Sequence, residues 1–217
     1  KTGIRKIKDM AHRLGLGDVT GIGLPGEKQG IIPSHEWKLA NQGRVWTPGE
    51  TVVSSIGQGY VLATPLQLAV MTARLANGKQ AVAPRLVKSN GDAVPDFAPL
   101  DIDPYALAII REGMFEVMNG RFGTARNYNL DRSLGGMAGK TGTVQVKRIT
   151  KAQREVGIVN NIDRPWAERD HALFVAYAPV KQPRYAISVV VEHGGSGSST
   201  AAPVARDILT QLMQRQG

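Results

Sequence analysis

Lys-Thr-Gly occurs twice in this chain, at positions 1–3 and 140–142. A lysine next to a hydroxyl and a glycine can hold an anion. The ammonium supplies charge, the threonine a hydrogen bond, and the glycine lets a ligand come close to the backbone. The second copy continues as Lys140-Thr141-Gly142-Thr143-Val144-Gln145-Val146, which alternates like a strand. On a strand, Thr141 and Thr143 share one face because they are two residues apart. The first copy opens a helical pattern and has no such setting. The four histidines, at 12, 35, 171 and 193, show no metal-ligand spacing. His12 reads as a surface residue of a basic helix, and His193 as a core or rim residue that could line a site. Gly21-Ile22-Gly23 and Gly57-Gln58-Gly59 neither follow a strand nor open a helix, so a phosphate-cradling loop is not expected. With no Cys, cysteine nucleophiles, disulfide scaffolds and Cys-based zinc sites are excluded.

The elements that position the Lys140 strand follow from periodicity and caps. Ile4, Ile7, Met10, Ala11 and Leu14 recur at helical spacing up to Gly15 and Gly17. That pattern is already running at the first residues, as in a chain that begins inside an element or one with a short N-terminal helix. Residues 15–51 are rich in Gly and Pro and read as irregular, with a short helix from Ser34-His35-Glu36-Trp37-Lys38. Thr64-Pro65-Leu66-Gln67 is a capping box that opens a helix ending at Asn77-Gly78. Asn90-Gly91 predicts a hairpin between Arg85–Val87 and Ala93–Val94. Asp103-Pro104 opens a helix closed by Asn119-Gly120. Residues 147–170 are charged and read as a solvated loop or hairpin tip. His171–Ala178 and Arg184–Glu192 are nearly continuous apolar runs joined by a turn, which predicts an antiparallel pair buried on both faces. A small-residue loop at 194–199 precedes a final helix opened by Pro203.

This order gives an α+β fold, an antiparallel sheet covered by helices. It divides into a helical and irregular part, 1–79, and a sheet-containing part, 80–217. The 217 residues, 42% hydrophobic and 21% charged, can build a core. Lys plus Arg number 27 against 18 for Asp plus Glu, a formal charge of +9 that favours anionic partners. The basic residues are spread along the chain without interleaved aromatics, so a solvated surface is preferred to nucleic-acid binding.

Five stretches, in order, resemble the class B penicillin-binding proteins of the elongation type. They are Thr20–Glu27, Ser55–Tyr60, Ala63–Ala69, Gly123-Thr124-Ala125 and Gly139–Val146. The resemblance implies the transpeptidase fold shared with serine β-lactamases, in its C-terminal part. It implies a peptidoglycan DD-transpeptidase that cross-links stem peptides during cell elongation, with β-lactams as covalent inhibitors and no cofactor or metal. Under it, Lys140, Thr141, Gly142 and Thr143 bind the substrate carboxylate. Lys140 and Thr143 also belong to the catalytic wall, with the Thr143 N–H as one oxyanion donor. Implied partners are stem peptides, β-lactams, the N-terminal remainder of the same protein and a membrane glycosyltransferase. The implied location is the periplasmic face of the bacterial inner membrane.

The chain departs from the family at one point. Its serines, at 34, 54, 55, 89, 133, 188, 196, 198 and 199, have neither Lys three residues on nor Asn two residues on. Ser34 has Trp37 at that position, with Lys38 one later. The family's Ser-x-x-Lys nucleophile and Ser-x-Asn motif lie N-terminal to the part matched, so the chain alone is expected to be inert. A non-catalytic binding or sensor module of the same fold is the alternative.

Overall fold

A computed structural model describes residues 2–87, 96–146, 155, 157 and 159–215. The chain forms two units, Lys1–Asp103 and Pro104–Gly217. In the first, helices α1 (Ile4–Arg13), α2 (His35–Gln42), α3 (Pro48–Ser55) and α4 (Pro65–Asn77) are separated by irregular chain. The expected capping box opens α4: the Gln67 N–H donates to Thr64 Oγ1, and the Thr64 N–H to Gln67 Oε1, both at 3.1 Å. Gln67 is fully buried, and its Nε2 also donates to the carbonyls of Asp18 and Gln29, each at 2.7 Å. One side chain thus starts a helix and pins the irregular segment before it. Ile31 and Leu62 exchange backbone hydrogen bonds at 2.7 and 2.9 Å, closing the same segment from the other end.

Helix α3 begins inside the stretch expected to be irregular up to Thr51 and runs past it to Ser55. Its start carries the same signal as α4: Thr47, Pro48 and Glu50 form a capping box. Glu50 also receives Lys38 Nζ of α2, at 2.5 Å from Oε1, while Nζ donates to the Val45 carbonyl at 2.8 Å. Lys38 is buried, so the lysine nearest in sequence to Ser34 is a strut between two helices. Lys38 and the Thr47 donors hold the Glu50 carboxyl below its ordinary value. Segment 80–100 pairs through the Ala81 N–H to the Ala98 carbonyl and the Leu100 N–H to the Lys79 carbonyl. Residues 85–87 are not a strand, and the expected turn at Ser89–Asp92 lies outside the described residues.

In the second unit, α5 (Pro104–Asn119) precedes strands β1 (Ala138–Val144), β2 (His171–Ala178) and β3 (Tyr185–Val191), and helix α6 (Ala202–Gln214) follows. The sheet is antiparallel in the order β1-β2-β3, with Lys140 opposite Val175 and Thr143 opposite Ala172. Ala172, Phe174 and Ala176 on β2 are fully buried against Met118, Met137, Ala202, Ala205 and Leu209. The expectation of burial on both faces is not met. Leu173 and Val175 are half-buried, as is every residue of β3, so one face of this sheet carries the core. Of the charged stretch 147–170, residues 147–154 lie outside the described set. Its end is ordered by one-turn 3-10 helices at Asn161–Asp163 and Trp166–Glu168. There Asp170 is nearly buried and faces Arg164 at 3.4 Å. No helix among the described residues is long and apolar enough to cross a membrane.

Candidate functional site

Strand β1 lies at the edge of the sheet and, among the described residues, pairs only on its β2 side. Its outer edge therefore offers backbone N–H and C=O groups to a ligand. Lys140 and Thr143 are exposed, and Thr141 and Gly142 half-buried. Lys140 Nζ bends back to the Thr141 carbonyl at 2.6 Å, which holds the ammonium next to the strand. The four residues singled out from the sequence are thus consecutive on the edge strand, with the exposed Lys140 at one end and the exposed Thr143 at the other.

The strand is placed from two sides. Gly197 lies flat on the sheet: a Cβ there would sit 2.4 Å from the Gly142 oxygen and 2.3 Å from the Leu173 oxygen. The chain then turns into α6 through one wide turn, in which the Ala202 N–H donates to the Gly197 carbonyl five residues back. The final helix therefore begins earlier than its Pro203 signal: of the small-residue run expected to be a loop, residues 194–196 are one, while the chain from Gly197 onward is the first turn. On the other side, an asparagine pair holds the connection from α5. Asn129 Nδ2 donates to Asn119 Oδ1 at 2.7 Å and to the Met118 carbonyl at 3.1 Å, and its Oδ1 accepts from the Met137 N–H at 3.2 Å. Asn119 Nδ2 reaches the Met137 carbonyl, also at 3.2 Å. Both backbone groups of Met137, the residue before β1, are bound this way.

Sequence reasoning named Gly123-Thr124-Ala125 without giving it a task. A Cβ at Gly123 would fall 2.4 Å from the Val117 oxygen and 2.5 Å from the Glu116 oxygen, so only glycine fits against the end of α5. Ala125 is buried, and its N–H donates to the Val117 carbonyl at 3.1 Å. Between them Thr124 places its hydroxyl 3.2 Å from that of Thr141. The signal was the glycine-threonine step itself; its meaning needed the third dimension.

His193 is half-buried. Its φ is +55°, its N–H donates to His171 Nδ1 at 2.9 Å, and its Nδ1 lies 3.0 Å from the Arg169 carbonyl. Its ring packs 4.2 Å from Trp166. His12 pairs with Asp18, and His35 packs on Trp46 at 6.0 Å. No group of three or more metal-ligating side chains is found among the described residues.

Residues 1–210 match the sequence model of the penicillin binding protein transpeptidase domain. The peptidoglycan D,D-transpeptidase MrdA of Salmonella typhimurium is 35% identical over 99% of this chain and 35% of its own length. That of Acinetobacter baumannii is 37% identical over 93% of this chain and 30% of its own length. The chain therefore spans about a third of the length of these curated relatives. Among solved structures, Pseudomonas aeruginosa PBP2 in complex with WCK 5153 is 37% identical with a TM-score of 0.77, over 98% of this chain and 42% of that one. Helicobacter pylori PBP2 in complex with MreC is 32% identical with a TM-score of 0.81, over all of this chain and 37% of that one.

Proposed function

The chain belongs to the penicillin-binding protein transpeptidase family, and from that premise we propose that it supplies the carboxylate-binding wall of a peptidoglycan D,D-transpeptidase. The observation that carries this reading is the edge strand Lys140-Thr141-Gly142-Thr143, with Lys140 and Thr143 exposed and its backbone backed by Gly197.

In this reading a stem peptide ending in D-Ala-D-Ala lies along the free edge of β1. Its terminal carboxylate meets Lys140 and the hydroxyls of Thr141 and Thr143, charge-assisted contacts that fix the scissile bond in place. The Thr143 N–H donates to the oxygen that gains negative charge as the carbonyl becomes tetrahedral; removing one such donor typically costs about 2.7–4 kcal/mol of transition-state stabilisation. The attacking serine and the lysine that takes its proton come from a Ser-x-x-Lys segment outside these 217 residues. The serine oxygen displaces D-Ala to form an acyl-enzyme. The amine of a second stem peptide then displaces the serine and makes the cross-link. A β-lactam places its own carboxylate on the same wall and acylates the same serine.

By the same reading the protein works at the periplasmic face of the inner membrane during elongation, with a membrane glycosyltransferase as partner. The MreC complex of the Helicobacter pylori relative supports assembly with an elongation scaffold.

A fluorescent penicillin tests the proposal. The 217-residue chain should not be labelled, and a longer chain that includes Ser-x-x-Lys should be. In the longer chain Lys140→Ala should slow labelling. Labelling of the 217-residue chain alone would overturn the division of roles.

A further inference from the structure

The turn that brings Thr124 to Thr141 has a second surface that the transpeptidase reading leaves unused. Arg121, Phe122, Gly123 and Arg126 line an open depression of about 460 Å³. Phe122 is 88% exposed, an unusual position for so large an apolar ring. The Arg121 guanidinium stands over that ring, 5.3 Å from its centroid. The Arg126 guanidinium donates to the Arg121 carbonyl. Both cations are thus oriented by contacts that do not neutralise them, and neither forms an ion pair among the described residues. Glu116, whose carboxylate lies against Gly120, is not paired with either.

Two guanidiniums beside an exposed ring suit a carboxylate on an aliphatic stem. The planar fork binds the two oxygens together, and the ring face covers the methylenes. The depression shares Gly123 with the step that seats Thr124 against Thr141, so one of its lining residues is the chain neighbour of a hydroxyl that touches β1. We infer that Arg121, Phe122 and Arg126 form a second carboxylate subsite, one that binds an internal carboxylate of the stem peptide whose terminal carboxylate lies on Lys140. This rests on the transpeptidase reading and adds a specificity element to it.

The test uses the enzyme extended to include Ser-x-x-Lys. Two synthetic pentapeptides serve as probes, both ending in D-Ala-D-Ala, one with its internal carboxylates free and one with them amidated. The free form should have the lower KM, by on the order of tenfold, as expected for losing a charge-assisted contact. Arg121→Gln/Arg126→Gln should collapse that difference, while Arg121→Lys/Arg126→Lys retains part of it. The loss should be selective, larger for the free-carboxylate peptide than for acylation by a small penicillin. Equal KM values for the two peptides in the unsubstituted enzyme, or a parallel fall in peptide use and penicillin acylation, would overturn the subsite. Failure of the unsubstituted extended enzyme to take up penicillin at all would instead remove the reading it rests on.

Discussion

Gln67 and Phe174 are both fully buried, one in each unit of the chain. Gln67 is a polar hub: it satisfies the Asp18 and Gln29 carbonyls and the Thr64 N–H in a region with little regular structure. Phe174 is an apolar plug: it fills the space between the sheet and the residues of α5 and α6, with its ring tip pressed toward Gly139. The first unit is tied together by side chains that bind backbone groups and one another, among them Lys38, Glu50, Thr20 and Glu27. The second is held by one contiguous apolar cluster, from Met118 to Leu209. A polar tie specifies one geometry and fails abruptly when a partner is lost. An apolar cluster loses stability in proportion to what is removed.

The contrast can be broken by substitution, starting with the largest effect. Phe174→Ala should destabilise the second unit by roughly 3–5 kcal/mol, the range for emptying a buried aromatic site. Hydrogen exchange across β1 to β3 should rise, while that of α4 should change less. Gln67→Leu removes no apolar volume but orphans three backbone groups; the irregular chain can turn these toward water, which holds the net cost to about 1–3 kcal/mol. Exchange should then accelerate around residues 18–30 and 64–67, and uniform loosening of the chain would refute the hub. Thr124→Val deletes one hydrogen bond, worth about 0.5–1.5 kcal/mol, and leaves the methyl packing in place. Penicillin acylation of the extended enzyme should slow several-fold, with Thr124→Ser restoring most of it.

The smallest effect is set by pH. Lys38 first, then Thr47, hold the Glu50 carboxyl below its ordinary value of 4.5. A depressed carboxyl contributes stability that is fully present above 4.5 and lost as pH falls through its lower folded value. Thermal unfolding followed from pH 6 down to pH 3 should show this loss, and Glu50→Gln should flatten that part of the curve. Glu27, held low by the Thr20 hydroxyl and N–H, adds to the same acid limb.

The difference between the units also explains what could be read from the sequence. The strands of the second unit were legible because apolar runs and alternation are local signals, and the β2–β3 pairing follows from the short turn between them. Thr64-Pro65-Leu66-Gln67 was legible because a capping box is local. The same box at Thr47 was hidden by Gly49 and by the exposed Val52 and Val53, which are poor helix formers with no apolar stripe. The side-chain ties from Gln67 to residues 18 and 29, and from Lys38 to Glu50, span separations that no periodicity encodes. Lys140 to Thr143 stood out through their residue types. Thr124 did not acquire a task until the fold brought two hydroxyls together across 17 residues.

Gly197 rests on the backbone of Gly142 and Leu173 with no room for a methyl group, whereas a Cβ on Gly142 would meet the Leu173 side chain at 3.3 Å. A side chain at Gly197 would have to displace two strands of backbone at once, and no change of side chain at either neighbour could make room for it. Drift at this point beneath the wall is therefore closed off. Adaptation to a new ligand is channelled outward, to the exposed Lys140, Thr143 and the turn around Phe122, where side chains can change without moving the strand.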